Sequence, residues 1–336
     1  MAGVIRCRRV SLADIGRSMR TDAFVKHRIK RVWRFLRNTG VDVVEGMRSL
    51  VAITAKASGG RLIVAVDWVD VRQYKVLRAA VPLRGRSVPV LFASYEKWRI
   101  FKSQNRFEEG FFHLLKALLP ARCEVVIVAD AGFARAELAR TLQGLGFHYV
   151  IRTGGKVWFE CAGHAGNLSD LPLRRGSRKD LGFGEYRKRR PVLQRVVAYW
   201  QAKHKEPWLL ATDLEWGWKR VVAAYSRRMM IEELFRDEKN IRYGWGLRQS
   251  RVSSSDRLNR LLLVLAFAYL WLLMLGIVCR EEMSEAHWAS GTSTRRRQTS
   301  AFVVGRLMLG RVRFPLQLLL KRLADLLSQL AEENWG

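Results

Sequence analysis

The sequence is poor in the residues that mark stapled or fibrous proteins. Only 7 of its 336 residues are proline, and no repeat of fixed period runs through it, which excludes collagen-like, solenoid and propeller architectures. The four cysteines lie far apart without a Cys-x-x-Cys pair, and the six histidines have no His-x-x-x-His spacing. We therefore expect neither a disulfide framework nor a zinc site. We expect the protein to reside in a reduced intracellular compartment.

Acidic residues are also scarce, because 30 Asp and Glu face 60 Lys and Arg and leave a formal charge of +30. Such a charge is self-repulsive unless an anion is present, so a polyanionic partner is expected. The basic residues are densest at 28–37, 174–179, 187–190 and 295–297. This spread favours several surfaces that follow one phosphate backbone, with a merely solvated cationic face as the alternative.

One long run carries no charge, residues 261–278. By length alone it could cross a membrane. The first nine residues include three arginines and are followed by no apolar core, so no secretory signal is expected. A large α/β domain also buries helices that are apolar all round, and we therefore predict a buried central helix and no membrane association.

The apolar pattern predicts an α/β fold with elements in the order β-β-β-α-β-α-β. Strands are expected at 61–66, 74–81, 88–93, 125–129 and 149–152, and helices at 107–118 and 134–145. The run at 125–129 is uniformly apolar, which indicates a central strand. Asp67 and Asp130 directly follow two of these strands, so carboxylates are expected at two strand ends.

The chain divides by composition into four parts. Residues 1–58 are predicted to form a helical, basic DNA-binding module, and residues 59–153 with 219–280 the α/β domain. Between them, residues 154–218 are rich in Gly, Trp and Arg and predict a small β insertion. Its tryptophans are expected to form the core of the insertion, the alternative being that one of them stacks on an extruded base. Residues 281–336 predict a helical C-terminal region, a candidate for dimerisation. The five tryptophans are Trp158, Trp200, Trp208, Trp216 and Trp218.

A polar stripe is predicted on a helix that begins at Tyr225. With Arg228, Glu232 and Lys239 this tyrosine falls on one narrow face at 100° per residue. Taken alone, the stripe is better explained as a surface helix with an i,i+4 ion pair between Arg228 and Glu232.

The spacing of these four residues resembles the Tyr-Arg-Glu-Lys signature of a group of bacterial insertion-sequence transposases with a DDE domain. Other stretches are similar to recurring stretches of the same group: Arg34-Phe35-Leu36, Val66-Asp67-Trp68, Ser103-Gln104-Asn105 with Glu108-Glu109, Ala129-Asp130-Ala131-Gly132-Phe133, Tyr149-Val150-Ile151-Arg152, Gly246-Leu247-Arg248, Arg257-Leu258-Asn259-Arg260-Leu261-Leu262 and residues 295–298. The resemblance thus reaches most of the chain.

The resemblance implies a ribonuclease H-like mixed sheet flanked by helices, with a β insertion ahead of the third carboxylate. It implies that Asp67, Asp130 and Glu232 are the catalytic triad and ligate two Mg²⁺ ions, for which Mn²⁺ substitutes. Three carboxylates brought together repel one another unless cations neutralise them, and hard oxygen ligands suit these metals. The resemblance assigns Tyr225 and the basic pair Arg228 and Lys239 to the DNA phosphates.

The activity implied by the resemblance is cleavage of the element's inverted repeats and transfer of the 3′-hydroxyls to target DNA, through a hairpin intermediate in a dimeric synaptic complex. A bacterial cytoplasmic location at the nucleoid follows from such a role. A catalytically decayed DNA-binding remnant and a host nuclease of the same fold are the alternatives.

Two choices within the triad stay open in the sequence. Asp70 is the alternative to Asp67, which is preferred because it directly follows the apolar run. Acidic neighbours crowd Glu232, which is preferred because it alone fits the signature spacing; they are Glu233, Asp237 and Glu238. Val69 and Ala131 depart from the family pattern, which often has a hydroxyl residue and an arginine there, but neither departure removes a carboxylate.

Overall fold

The computed structural model of the protein describes residues 1–100, 103–288 and 299–335. The basic cluster at 295–297 and the family-like stretch at 295–298 lie outside the described residues.

The described chain begins with four helices, continues with ten strands and two intervening helices up to residue 212, and is mainly helical after residue 217. The helices are α1 (Ala2–Arg6), α2 (Leu12–Arg17), α3 (Val25–Arg37), α4 (Val43–Ala57), α5 (Gln104–Leu118), α6 (Ala136–Gly144), α7 (Trp218–Ser226), α8 (Met229–Lys239), α9 (Ser255–Glu282), α10 (Ala301–Met308) and α11 (Leu316–Trp335). The strands are β1 (Arg61–Val71), β2 (Tyr74–Leu83), β3 (Arg86–Glu96), β4 (Glu124–Ala129), β5 (His148–Arg152), β6 (Trp158–Cys161), β7 (His164–Asn167), β8 (Arg178–Tyr186), β9 (Val192–Tyr199) and β10 (Trp208–Thr212).

These strands form one mixed sheet in the order β3-β2-β1-β4-β5-β10-β9-β8-β6-β7. The first three strands make an antiparallel meander, and β1, β4 and β5 run parallel. The predicted order of elements and the α/β fold class are confirmed. The arrangement agrees with a ribonuclease H-like fold.

Strand β1 is longer than predicted. Its pairing with β4 ends at Val66, but its pairing with β2 continues through Asp67 to Val71. The prediction that the strand stops at Asp67 is therefore wrong, because the ladder to β2 satisfies the backbone after β4 has ended.

The β-rich segment extends the same sheet. Strand β10 pairs with β5 on one side and with β9 on the other, which joins β6 to β9 to the central strands. Its fully buried aromatic residues are Phe159 and Tyr186. All five tryptophans are only partly buried, and three of them, Trp208, Trp216 and Trp218, pack against the buried core. The prediction that the five form the core of this segment is therefore wrong in part.

Helix α9 is the element that contains the long uncharged run. Within the described residues it is the one helix long and apolar enough to cross a membrane, and 78% of its most apolar window is buried inside the protein. It begins earlier than the run, at Ser255, where Ser254 caps it by accepting a hydrogen bond from the Arg257 backbone N–H at 3.4 Å. A Cβ on Gly276 would lie 1.7 Å from the Ala301 carbonyl oxygen, so glycine is required where α10 crosses. The burial agrees with the predicted core helix.

Candidate active site

The two aspartates predicted at strand ends lie side by side. Val66 on β1 is paired in register with Ala129, the last residue of β4. Asp67 and Asp130 directly follow these two residues in the chain. Neighbouring strands are about 4.8 Å apart, so the two carboxylates start from adjacent positions at the same edge of the parallel ladder. Asp130 also caps a short 3₁₀ turn, because its Oδ1 accepts a hydrogen bond from the Gly132 backbone N–H at 2.9 Å.

The environment of Asp67 disfavours the ionised form of its carboxyl group. Its side chain is 19% exposed, and burial raises its pKa from 3.8 to about 6, with the Asp130 charge as the next cause. The Arg228 guanidinium and the Trp68 backbone N–H oppose this rise, the latter through a 2.8 Å hydrogen bond. A buried carboxylate beside a second carboxylate is the electrostatic condition that favours binding of a cation.

The helix that carries the predicted polar stripe is divided. Helix α7 ends at Ser226 and α8 begins at Met229. Across the junction the backbone bonds are of the i to i−3 type, from Arg228 N–H to the Tyr225 carbonyl at 2.9 Å and from Ile231 N–H to the Arg228 carbonyl at 3.1 Å. The prediction of one continuous helix from Tyr225 is wrong, because this tighter turn rotates Tyr225 away from the face of α8.

Tyr225 is buried at the end of α7. Its ring packs edge-on against Trp208 of β10, with centroids 4.8 Å apart, and the Arg228 guanidinium carbon lies 6.0 Å from its ring centroid. The Tyr225 ring thus packs against both Trp208 and the Arg228 side chain.

Arg228 links the first carboxylate to the third. Its Nη1 donates to Asp67 Oδ2 at 3.3 Å, and its Nη2 donates to Glu232 Oε1 at 2.8 Å. The arginine side chain is 10% exposed, whereas that of Glu232 is 42% exposed. Asp67 and Glu232 therefore lie on two sides of one guanidinium. The i,i+4 pair with Glu232 was considered from the sequence, but the contact with Asp67 was not predicted.

The acidic neighbours of Glu232 on α8 have other partners. Glu238 is fully buried and makes a bidentate ion pair with Arg78 of β2, with N–O distances of 2.7 and 3.2 Å. Asp237 pairs with Arg86 Nε at 2.7 Å and accepts a hydrogen bond from the Tyr269 hydroxyl at 2.8 Å. These contacts fix the inner face of α8 to the sheet and to α9.

The two remaining alternative carboxylates, Glu233 and Asp70, also have other partners. Glu233 pairs with Arg86 at 3.2 Å and with Arg236 at 2.6 Å. Asp70 is half-exposed and pairs with Lys97 at 2.9 Å. Both Asp130 and Glu232 raise the pKa of Asp67, whereas the charge of Glu233 acts on Asp237.

Lys239 lies at the far end of α8. Burial, followed by the Arg248 charge, lowers the pKa of its ammonium, while the charges of Asp67 and Asp70 act in the opposite direction. Its Nζ lies 5.6 Å from the centroid of the Phe235 ring. The lysine is thus within electrostatic range of Asp67.

A buried carboxylate supports both aspartate-bearing strand ends. Glu108 of α5 is fully buried and accepts hydrogen bonds from Trp68 Nε1 at 2.8 Å and from the Arg135 guanidinium. Trp68 follows Asp67, and Arg135 lies five residues after Asp130. Glu108 lies in one of the family-like stretches, but its role could not be predicted from the sequence because its two partners come from different elements.

Four of the five tryptophans of the β-rich segment lie against Lys or Arg side chains. Lys188 Nζ lies 3.6 Å from the Trp158 ring centroid, and the guanidinium carbon of Arg178 lies 4.4 Å from that of Trp218. Stacked cations of this kind leave the charge exposed while the ring is partly buried.

No group of three His, Cys, Asp or Glu side chains in the described ranges is close enough together to hold a metal ion. The Arg228 guanidinium lies between Asp67 and Glu232, where a metal ion bound by both carboxylates would have to lie. The donor set nevertheless fits a hard divalent cation, because all three groups are carboxylates and Asp67 carries a repulsion that such a cation would relieve.

A mixed sheet with paired carboxylates at the end of its parallel ladder defines a class of nucleic-acid-processing proteins with a ribonuclease H-like fold. Residues 103–271, half of the chain, match the family described as Transposase DDE domain, and the chain belongs to that family. Membership implies a transposase that acts on DNA and generally uses divalent metal ions. No match was found among curated protein sequences.

Proposed function

We propose that the protein binds the terminal inverted repeats of its own insertion sequence, cleaves the DNA at these ends and joins the 3′-hydroxyls to target DNA. The observation that carries this proposal is the register of β1 and β4, which brings Asp67 and Asp130 to adjacent positions. Glu232 completes the set through Arg228. The excess of 30 positive charges supports DNA as the partner.

In this proposal Asp67, Asp130 and Glu232 hold Mg²⁺, and Mn²⁺ substitutes for it. When bound by these carboxylates, the metal would supply activation of the attacking hydroxyl and stabilisation of the leaving oxygen in an in-line displacement at phosphorus. The protein contributes orientation: Glu108 ties the strand ends that carry both aspartates, and the Arg78 and Glu238 ion pair holds α8 against β2.

The three signature residues around Glu232 take different tasks. Arg228 neutralises Asp67 and Glu232, and its guanidinium is also suited to bind a phosphate oxygen in a bidentate manner. The Tyr225 ring packs against the Arg228 guanidinium and helps to position it. Lys239 carries a point charge for the DNA backbone and has no means of binding a metal cation.

The partner of the proposed reaction is a second copy of the chain as well as DNA. Two ends of one element must be cut and joined together, and the family resemblance implies a homodimer in the synaptic complex. The proposed location is the bacterial cytoplasm, where the DNA is.

The test uses a supercoiled plasmid that carries the inverted repeats flanking the gene. With Mg²⁺, the protein is expected to release the element with free 3′-hydroxyls and then to join these ends to a second plasmid. Cutting without joining, at sites unrelated to the repeats, would indicate a host nuclease. Specific binding of the repeats without cutting in either metal would indicate a decayed remnant.

A further inference from the structure

A basic cavity of about 650 Å³ lies beyond the end of α8. Three segments that are distant in the sequence form it: residues 5–20, the loop at 241–243 and residues 303–310. None of its lining residues is acidic. Six of them are arginines, namely Arg6, Arg8, Arg9, Arg20, Arg242 and Arg306.

The arginines at the rim are unneutralised. Five of the six are exposed, all but Arg306, and none of these five forms an ion pair with a carboxylate in the described part of the chain. A concentration of cations without acidic neighbours stabilises a bound anion and repels itself without one. The cavity is therefore built for a ligand with several negative charges.

Arg306 gives the cavity a fixed floor. Its Nη1 donates to the Tyr243 carbonyl at 3.0 Å, and its Nη2 donates to the Cys7 carbonyl at 3.2 Å. It therefore ties α10, the loop after α8 and the N-terminal segment together. Arg306 donates its hydrogen bonds to backbone carbonyls, and the charge of Asp237 acts on it from behind the cavity lining.

The position of the cavity identifies the kind of anion. From Glu232 to Lys239 helix α8 rises about 10 Å, and the cavity rim begins at Ile241, two residues later. One DNA strand advances about 3.4 Å per nucleotide, so about three nucleotides separate the carboxylates from the helix end. A DNA backbone that passes Asp67 and Lys239 would come to the end of α8, where the loop at 241–243 lines the cavity.

We propose that this basic cavity holds the phosphate backbone of the DNA that flanks the cleavage position, and that Arg8 and Arg9 are among its contacts. The inference rests on the proposed function, which it extends with a second DNA site built jointly by the N-terminal module and the C-terminal region. It also supplies a reason for these two regions to pack on the loop after α8.

The test compares two double variants that each remove two positive charges. The first is Arg8→Gln with Arg9→Gln. The control is Lys56→Gln with Arg122→Gln. These exposed residues precede β1 and β4, so they lie at the starting ends of the two strands, whereas Asp67 and Asp130 follow the paired segments at the other end. Binding of a short labelled duplex is measured by fluorescence anisotropy over a range of salt concentrations, with EDTA present, so that the result does not depend on cleavage.

The cavity variant is expected to bind roughly 10- to 100-fold more weakly at about 0.1 M salt, with a log–log salt slope less steep by about two. The control should keep the wild-type slope, and so should Arg8→Lys with Arg9→Lys. Equal slopes for wild type and the cavity variant, with unchanged melting temperatures, would overturn the inference. Failure of the wild type to bind DNA at all would instead refute the proposed function.

A second arm separates DNA from a free phosphate compound. Pyrophosphate alone is expected to shift the melting temperature of the wild type little at concentrations where the duplex binds. If pyrophosphate stabilised the wild type strongly, lost this effect in the cavity variant, and the variant bound DNA normally, the cavity would serve a free phosphate ligand and the DNA assignment would be wrong.

Discussion

Replacement of Asp67 by asparagine is expected to stabilise the metal-free protein at neutral pH. Asp67 has its pKa raised from 3.8 to about 6 in the folded state, so the folded protein binds this proton more tightly than the unfolded chain does. The shift of about two units corresponds to roughly 3 kcal/mol of unfavourable free energy when the group is ionised. This cost is fully present above about pH 6 and disappears as the pH falls towards 4.

The assay is thermal unfolding in EDTA between pH 4 and pH 7. Asp67→Asn should melt close to the wild type at pH 4 and several degrees above it at pH 7, because asparagine carries no charge to desolvate. Asp70→Asn is the matched control, since Asp70 is half-exposed and paired with Lys97, and it should show no such gain. Mg²⁺ should stabilise the wild type and leave Asp67→Asn unchanged.

The reasoning would be refuted if Asp67→Asn were destabilised equally at both pH values. In that case the bond between Arg228 and Asp67 would stabilise the fold by more than the burial of the carboxylate costs. A pH-dependent gain in Asp70→Asn alone would show that Asp70, and not Asp67, carries the raised pKa.

Further predictions concern the residues around the triad. Glu108→Gln should lower the single-turnover cleavage rate at least tenfold with unchanged DNA affinity, because it loosens both aspartate-bearing strand ends; a lower affinity with a normal rate would contradict this. Lys239→Ala should weaken end binding and reduce cleavage most at low enzyme concentration; full rescue by Mn²⁺ at unchanged end affinity would instead place Lys239 in support of the metal site. Arg78→Leu should lower the free energy of unfolding by about 3–5 kcal/mol in denaturant titrations, because Glu238 is left buried and unpaired. Adding Glu238→Leu should restore most of that loss, and an equal loss in the double variant would show that packing, not charge, is responsible.

The central strands could be predicted from the sequence because their burial is uniform. Residues 125–129 are all apolar, and β4 is buried along the whole of that run. The position of Asp130 directly after it followed from the same pattern. Asp67 was also chosen from its apolar run, although the end of β1 was misplaced, since pairing with β2 is a tertiary contact that apolar patterning does not report.

The division between α7 and α8 could not be predicted from helical periodicity. The ion pairs that fix α8, Arg78 with Glu238 and Arg86 with Asp237, join residues 160 and 151 positions apart. The role of Arg228 between Asp67 and Glu232 depends on that docking. For the same reason, the partners of Glu233, Asp237 and Glu238 could not be read from the sequence, where only the signature spacing favoured Glu232 over them.

The most direct measurement of the central claim is Mg²⁺-dependent cleavage of DNA ends by matched pairs of carboxylate variants. Asp67→Asn, Asp130→Asn and Glu232→Gln are expected to abolish cleavage and to retain end binding, because each removes a proposed metal ligand and also a negative charge near the proposed DNA site. Their neighbours Asp70→Asn and Glu233→Gln are expected to cleave as the wild type does. Retained cleavage in Asp67→Asn or Glu232→Gln, with its loss in the neighbouring variant, would contradict the account.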